Sequence, residues 1–197
     1  MMFPETPSIT CHDPLAELLG AGSGVFTYTF DDAVKLAGHA CPTVAGAFLL
    51  IKKALDLLYP NAMPERGDVA IFVPGRVDEG VTGPITQIFT LVTGAAASNG
   101  FKGLGGQFNR MNLIRFQSGS LAPEPFTFER LSTRQRVRLA YSPHFFPPAA
   151  PMGDLLPLVL DRRATAAQRE EFRHLWRQRV LDILADGGAN TIVKHDE

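Results

Sequence analysis

Two donor types that transition metals accept stand two residues apart in Gly38-His39-Ala40-Cys41-Pro42. Zinc and its neighbours in the first transition row bind both imidazole nitrogen and thiolate sulfur. In extended backbone, side chains two apart share a face, so the pair can converge on one ion. Without a metal the same pair is a nucleophile beside a base, the arrangement of thiol chemistry. A purely structural use of these residue types is a buried thiol next to a turn histidine.

The elements that must position the pair can be read on either side of it. Upstream, Thr29 and Asp32 have the spacing of a capping box at a helix start, and Gly38 fits the left-handed position that closes that helix. Downstream, Pro42 suits the first turn of a second helix, along which Val44, Ala47, Phe48, Ile51, Leu55 and Leu58 recur at helical spacing. Cys41 then becomes an N-cap. There the free amides and the positive end of the helix dipole favour negative charge on sulfur.

Other donors are scattered along the chain. Cys11-His12-Asp13 is a second cluster, but Asp13-Pro14 reads first as a helix entry, with Asp13 capping. Residues 69–73 form a short β-branched run expected to be a buried strand. Residues 74–83, with three glycines, Arg76, Asp78 and Glu79, form the loop after it. Glu79 or Asp78 is the candidate base of an enzyme reading, with Cys41 as its other catalytic residue. His144, set between Pro143 and Phe145, is the third candidate ligand. Glu171 and His174 have the i, i+3 spacing of helical carboxylate–histidine sites, yet His174 projects away from the apolar stripe of its helix and reads as solvated. The glycine-rich residues 100–106 lack the Gly-Lys-Ser/Thr ending of a phosphate-binding loop and read as a turn.

The motif Gly38-His39-Ala40-Cys41-Pro42, with the Ala- and Gly-rich apolar stretch after it, resembles the Gly-His-x-Cys-Pro-Gly opening of FmdE-like proteins, a family named after one component of formylmethanofuran dehydrogenase. Thr93-Gly94-Ala95-Ala96-Ala97-Ser98-Asn99-Gly100 is similar to that family's Thr-Gly-Cys-Thr segment and the Gly-Lys-Gly turn that follows it. The resemblance covers residues 30–116. It implies an α+β core, a metal site using His39 and Cys41, and a homodimer. Two positions depart from the pattern: Thr43 replaces the glycine after Cys-Pro, and Ala95 stands where the second motif's cysteine belongs. A site built on that second sulfur cannot form unchanged. No cysteine follows Cys41, so the C-terminal zinc-finger module of many relatives is not expected.

Composition sets the frame for these residues. The chain has 197 residues, 20% of them charged, and a formal net charge of −1, which suits a soluble globular protein able to bury a core without staples. No concentrated positive field invites nucleic acid or an anionic membrane. Two cysteines, Cys11 and Cys41, suit a reducing compartment, although a bridge between them stays open. The N-terminal stretch has no basic start followed by an apolar run, and no apolar stretch reaches the roughly 18 residues of a spanning helix. A cytoplasmic location is the expectation.

The pattern predicts a single α+β domain, an antiparallel-type sheet packed against helices, with a core over about residues 25–145 and a helical extension over about 151–187. Strands are expected within 111–116, 126–130 and 136–141, a helix over 84–92 closed by Gly94, and frayed residues after Gly187-Gly188. The functional expectation is a transition ion held by His39, Cys41 and His144, zinc first, with iron, nickel and copper also compatible. Such a site suits either an enzyme acting on a small molecule or a non-catalytic, metal-carrying component of a larger assembly; metal-free Cys–His thiol or redox chemistry is the alternative.

Overall fold

A computed structural model describes residues 3, 6–117 and 125–196. In chain order it contains β1 (Ile9–His12), α1 (Pro14–Leu18), β2 (Val25–Tyr28), α2 (Phe30–Ala37), α3 (Pro42–Leu58), β3 (Val69–Pro74), α4 (Thr82–Thr93), β4 (Ile114–Gln117), β5 (Phe126–Arg130), β6 (Arg136–Tyr141), a one-turn 3-10 helix (Pro143–Phe145), α5 (Pro151–Leu160), α6 (Ala166–Asp186) and β7 (Ile192–His195). Helix α3 is the spine. Its stripe residues Val44, Ala47, Phe48, Ile51, Leu55 and Leu58 are all at most 2% exposed, and each of them larger than alanine contributes about 1.5–3 kcal/mol by leaving water.

The helix ends follow their chemistry. Thr29 and Asp32 form the capping box of α2, and Gly38 closes that helix at φ 76°. Cys41 is the N-cap of α3. Asp13 caps α1, accepting hydrogen bonds from the amides of Leu15 and Ala16. Thr165 and Gln168 form the capping box of α6, and Gly187 ends it.

The main sheet has the order β4-β3-β5-β6-β7. All its pairings are antiparallel except β3 with β4, so the antiparallel expectation holds for the sheet apart from one parallel pair. Helix α4 lies between those two strands in the chain and carries it back to begin β4 in the same direction. Ile71, Ile114, Phe128 and Val137 stand in register and belong to the buried core. Phe72, Arg115, Thr127, Arg138 and His195 form the neighbouring row, on the opposite face.

Several boundaries differ from the sequence pattern. Strand β4 begins only at Ile114, because Asn112 turns at φ 61° and Leu113 precedes the pairing. Helix α4 starts two residues before Pro84. The strands β1 and β2, a separate antiparallel pair, lie where the sequence pattern predicts no regular strand. Residues 189–195 are ordered rather than frayed: the Asp186 carboxylate accepts hydrogen bonds from the amides and side chains of Asn190 and Thr191. Positive φ at Gly187 and Gly188 turns the chain back, and β7 pairs with β6. Both cysteines are free thiols.

Candidate functional site

The register fixes what each edge of the sheet carries. β3, β4 and β6 run in one direction, and β5 and β7 in the other. The C-terminal ends of β3, β4 and β6 therefore share an edge. Tyr141, the last residue of β6, donates its hydroxyl proton to the Pro42 carbonyl at 2.8 Å, which places the start of α3 at that edge. At the other end, Arg130 donates to the Leu58 carbonyl at 3.3 Å and Gln135 to the Leu57 carbonyl at 3.2 Å. Both α3 and α4 thus begin where β3 ends and finish where β3 begins. His39, Cys41, His144 and the loop bearing Arg76, Asp78 and Glu79 all belong to the first edge.

The motif itself is held by specific contacts. His39 is exposed, and its Nδ1 lies 3.0 Å from the Ala37 carbonyl. A carbonyl only accepts, so Nδ1 is the donor in this bond, and in the neutral ring that leaves the Nε2 lone pair for an ion. Metal-binding histidines are commonly oriented by this kind of bond. Cys41 is half-buried with an extended backbone (φ −150°, ψ 167°), and its Sγ accepts the Val44 amide proton at 3.4 Å. The carbonyl before Cys41, that of Ala40, accepts the indole N–H of Trp176 at 2.8 Å. Gly46, one turn into α3, leaves the space that the Tyr141 ring fills: a Cβ there would lie 2.3 Å from the ring. Burial of Tyr141 raises its hydroxyl to about 12; Arg179 opposes the rise, and Cys41 and Asp186 add to it.

The remaining candidates are placed less favourably. His144 is exposed on the 3-10 turn just past β6. Glu79 is exposed, and its carboxylate accepts the Arg76 amide at 3.1 Å, closing its own loop. Asp78 is held by the Arg76 guanidinium at 2.9 and 3.0 Å. Among the described residues, no three His, Cys, Asp or Glu side chains are grouped so as to hold a metal ion. A closed four-ligand site within one chain therefore does not fit these residues, and neither do His39, Cys41 and His144 as a ready-made triad. The Ala95 position of the second motif is fully buried.

Cys11 and His12 are at the wrong end to help within one chain. Cys11 is 1% exposed, and burial pushes its thiol up to about 11, partly offset by Arg66. His12 bonds Glu17 at 2.8 Å, and its amide and carbonyl pair with Pro64 and Arg66, just before β3 begins. Glu171 and His174 are both exposed, as expected of a solvated helix face.

Sequence reasoning missed Trp176 and Tyr141 as contacts of the motif. The signal was present for the first: a tryptophan on an apolar stripe needs a partner for its N–H once buried. No helix among the described residues is long and apolar enough to cross a membrane. No family model matches the sequence, and no curated protein matches it.

Proposed function

We propose that the start of α3 is a transition-metal site in which His39 Nε2 and Cys41 Sγ are the protein donors, with zinc the first choice. The observation that carries this reading is the contact of the exposed His39 Nδ1 with the Ala37 carbonyl, which engages that nitrogen and leaves Nε2 as the ring nitrogen available to an ion. Two donors leave coordination positions open. His144, on the same edge, is the candidate within the chain to approach them, and a second copy in a homodimer or a small-molecule ligand is the other source. Such a site serves either an enzyme, with Glu79 as its base, or a metal carrier.

Elemental analysis of untagged protein purified without added metal tests the proposal. Wild type is expected to hold about one ion per chain or per dimer, and Cys41→Ala and His39→Ala almost none, because binding needs both donors. Equal metal in all three removes the reading.

A second reading is metal-free thiol chemistry, with Cys41 as nucleophile and His39 as its base. It is favoured by a half-buried sulfur already engaged by a helix amide, beside which the described residues group no third donor. Iodoacetamide separates the two. A metal-bound sulfur is shielded until a chelator strips the ion, whereas a free one labels equally with and without chelator.

A further inference from the structure

The peptide groups on both sides of Cys41 are gripped by side chains from distant parts of the chain. The Ala40 carbonyl accepts from Trp176 of α6, 136 residues away, and the Pro42 carbonyl from Tyr141 of β6, 99 residues away; both bonds are 2.8 Å. Neither donor belongs to residues 30–116, the part of the chain whose motifs suggest the site. The same face of α6 holds a second segment of that edge: three residues after Trp176, Arg179 donates from Nε to the Phe146 carbonyl at 2.7 Å, two residues past His144. Helix α6 is itself anchored. Val180, Ile183 and Leu184 are at most 2% exposed and belong to the same core cluster as α3.

We infer that Trp176 and Tyr141 are positioning residues for the His39–Cys41 site, so that α6 and the end of β6 govern how the Cys41 sulfur is presented. The inference rests on the reading of this segment as a ligating or reactive site. Its physical basis is the geometry of an N-cap. The sulfur reaches the Val44 amide only while Cys41 stays extended, and that conformation depends on the orientation of the peptide planes before and after it. A hydrogen bond to each flanking carbonyl fixes both planes. The Tyr141 ring adds a lateral restraint, because it fills the space above Gly46 in the first turns of α3.

Tyr141→Phe and Trp176→Phe each remove one grip while keeping an aromatic ring. Phe172→Leu is the control: Phe172 packs on the Trp176 ring at 5.7 Å between centroids, so its loss disturbs α6 while the indole N–H donor is kept. Two readouts are taken beside the melting temperature.

The first readout is iodoacetamide labelling of chelator-treated protein followed by peptide mapping, with buried Cys11 as the internal reference. Freeing either carbonyl lets the cap open, so both variants should label Cys41 about threefold faster or more, and the control at the wild-type rate. The second is cobalt(II) titration, in which near-ultraviolet absorption reports a bond to sulfur. Both variants should bind about tenfold more weakly or worse, the lower end of what outer-shell losses cost.

Labelling of Tyr141→Phe and Trp176→Phe at or below the wild-type rate would overturn the inference. So would equal acceleration in Phe172→Leu, which would make the effect one of general loosening. A wild-type protein with no Cys41-dependent cobalt absorption would instead remove the metal reading, and the labelling comparison would still decide the positioning role.

Discussion

Where β3 begins, the carboxylates of Asp13 and Asp68 are surrounded by donors; where it ends, those of Asp78 and Glu79 stand in solvent. Asp13 accepts from Arg66 Nε and Arg110 Nη2 at 2.8 Å each and from the two amides of its own cap. Asp68 accepts from Tyr59, Arg130 and both the amide and hydroxyl of Ser132. The same arginines also cap helix C-termini: Arg66 donates to the carbonyls of Leu91 and Val92, and Arg130 to that of Leu58. The difference teaches that the denser cluster of charge is the structural one. Both oxygens of each carboxylate are engaged by donors of the cluster, whereas His39 Nε2 and the Cys41 sulfur have no such carboxylate or guanidinium partner among the described residues.

The electrostatics sharpen the contrast. Burial alone would raise the Asp13 carboxyl, but the Arg66 hydrogen bond, the charge of Arg110 and the Ala16 amide outweigh it and hold the group below its ordinary range. Arg110 Nη1 is the one buried side-chain nitrogen or oxygen among the described residues without a hydrogen-bond partner. It lies against Gly67 and Gly94, where a Cβ would come within 2.5 and 2.8 Å of it. Both glycines also have positive φ, so close approach and backbone conformation each require a residue with no side chain.

The largest expected effect belongs to the edge where β3 begins. Asp13→Ala takes the shared carboxylate away from two guanidiniums and removes a helix cap, and should cost about 3–5 kcal/mol in urea denaturation at neutral pH. A loss as small as that of a surface ion pair would erase the distinction between the edges. The sign with pH follows from the depressed carboxyl. Its contribution is full above the ordinary aspartate value of about 3.9 and is lost as pH falls through the folded value. The acid limb of the variant's stability profile should accordingly be shallower than that of wild type.

Gly46→Ala comes next, because it tests the edge where α3 begins by sterics rather than charge. The added methyl would collide with the Tyr141 ring. Overpacking of this kind costs about 1–3 kcal/mol, reduced by the better helix propensity of alanine. Thermal unfolding at unchanged or higher stability would mean that the ring is free to move aside.

Cys41→Ser should have the smallest effect on stability, within about 1 kcal/mol, since serine is itself a preferred N-cap. It should nevertheless abolish cobalt absorption attributable to sulfur. A large destabilisation would assign Cys41 to the fold, and the two edges would then differ in charge alone.

Local chemistry made much of this protein legible from its sequence. The capping box at Thr29, the left-handed Gly38, Pro42 behind an N-cap and the apolar repeat of α3 all depend on neighbours within one or two helical turns. For that reason the α+β class, the placement of Cys41 and the cap at Asp13 could be read directly. The short strands β1, β2 and β7 could not, because four residues carry little periodicity and pair only once a distant segment offers an edge. The pairing of β4 with β3 was equally hidden, since a helix between two strands does not say whether they become neighbours in the sheet.

The sequence by itself determined which donors exist and that His39 and Cys41 meet at a helix start. Tertiary structure alone decided their company. It sent Cys11 and His12 to the far end of the sheet, engaged Glu79 in its own loop, and brought Trp176 and Tyr141 from outside the recognisable motifs onto the carbonyls beside Cys41. Contacts across 99 and 136 residues leave no local pattern, because what places them is the packing of α6 on α3 and the register of β6, properties of the whole folded chain.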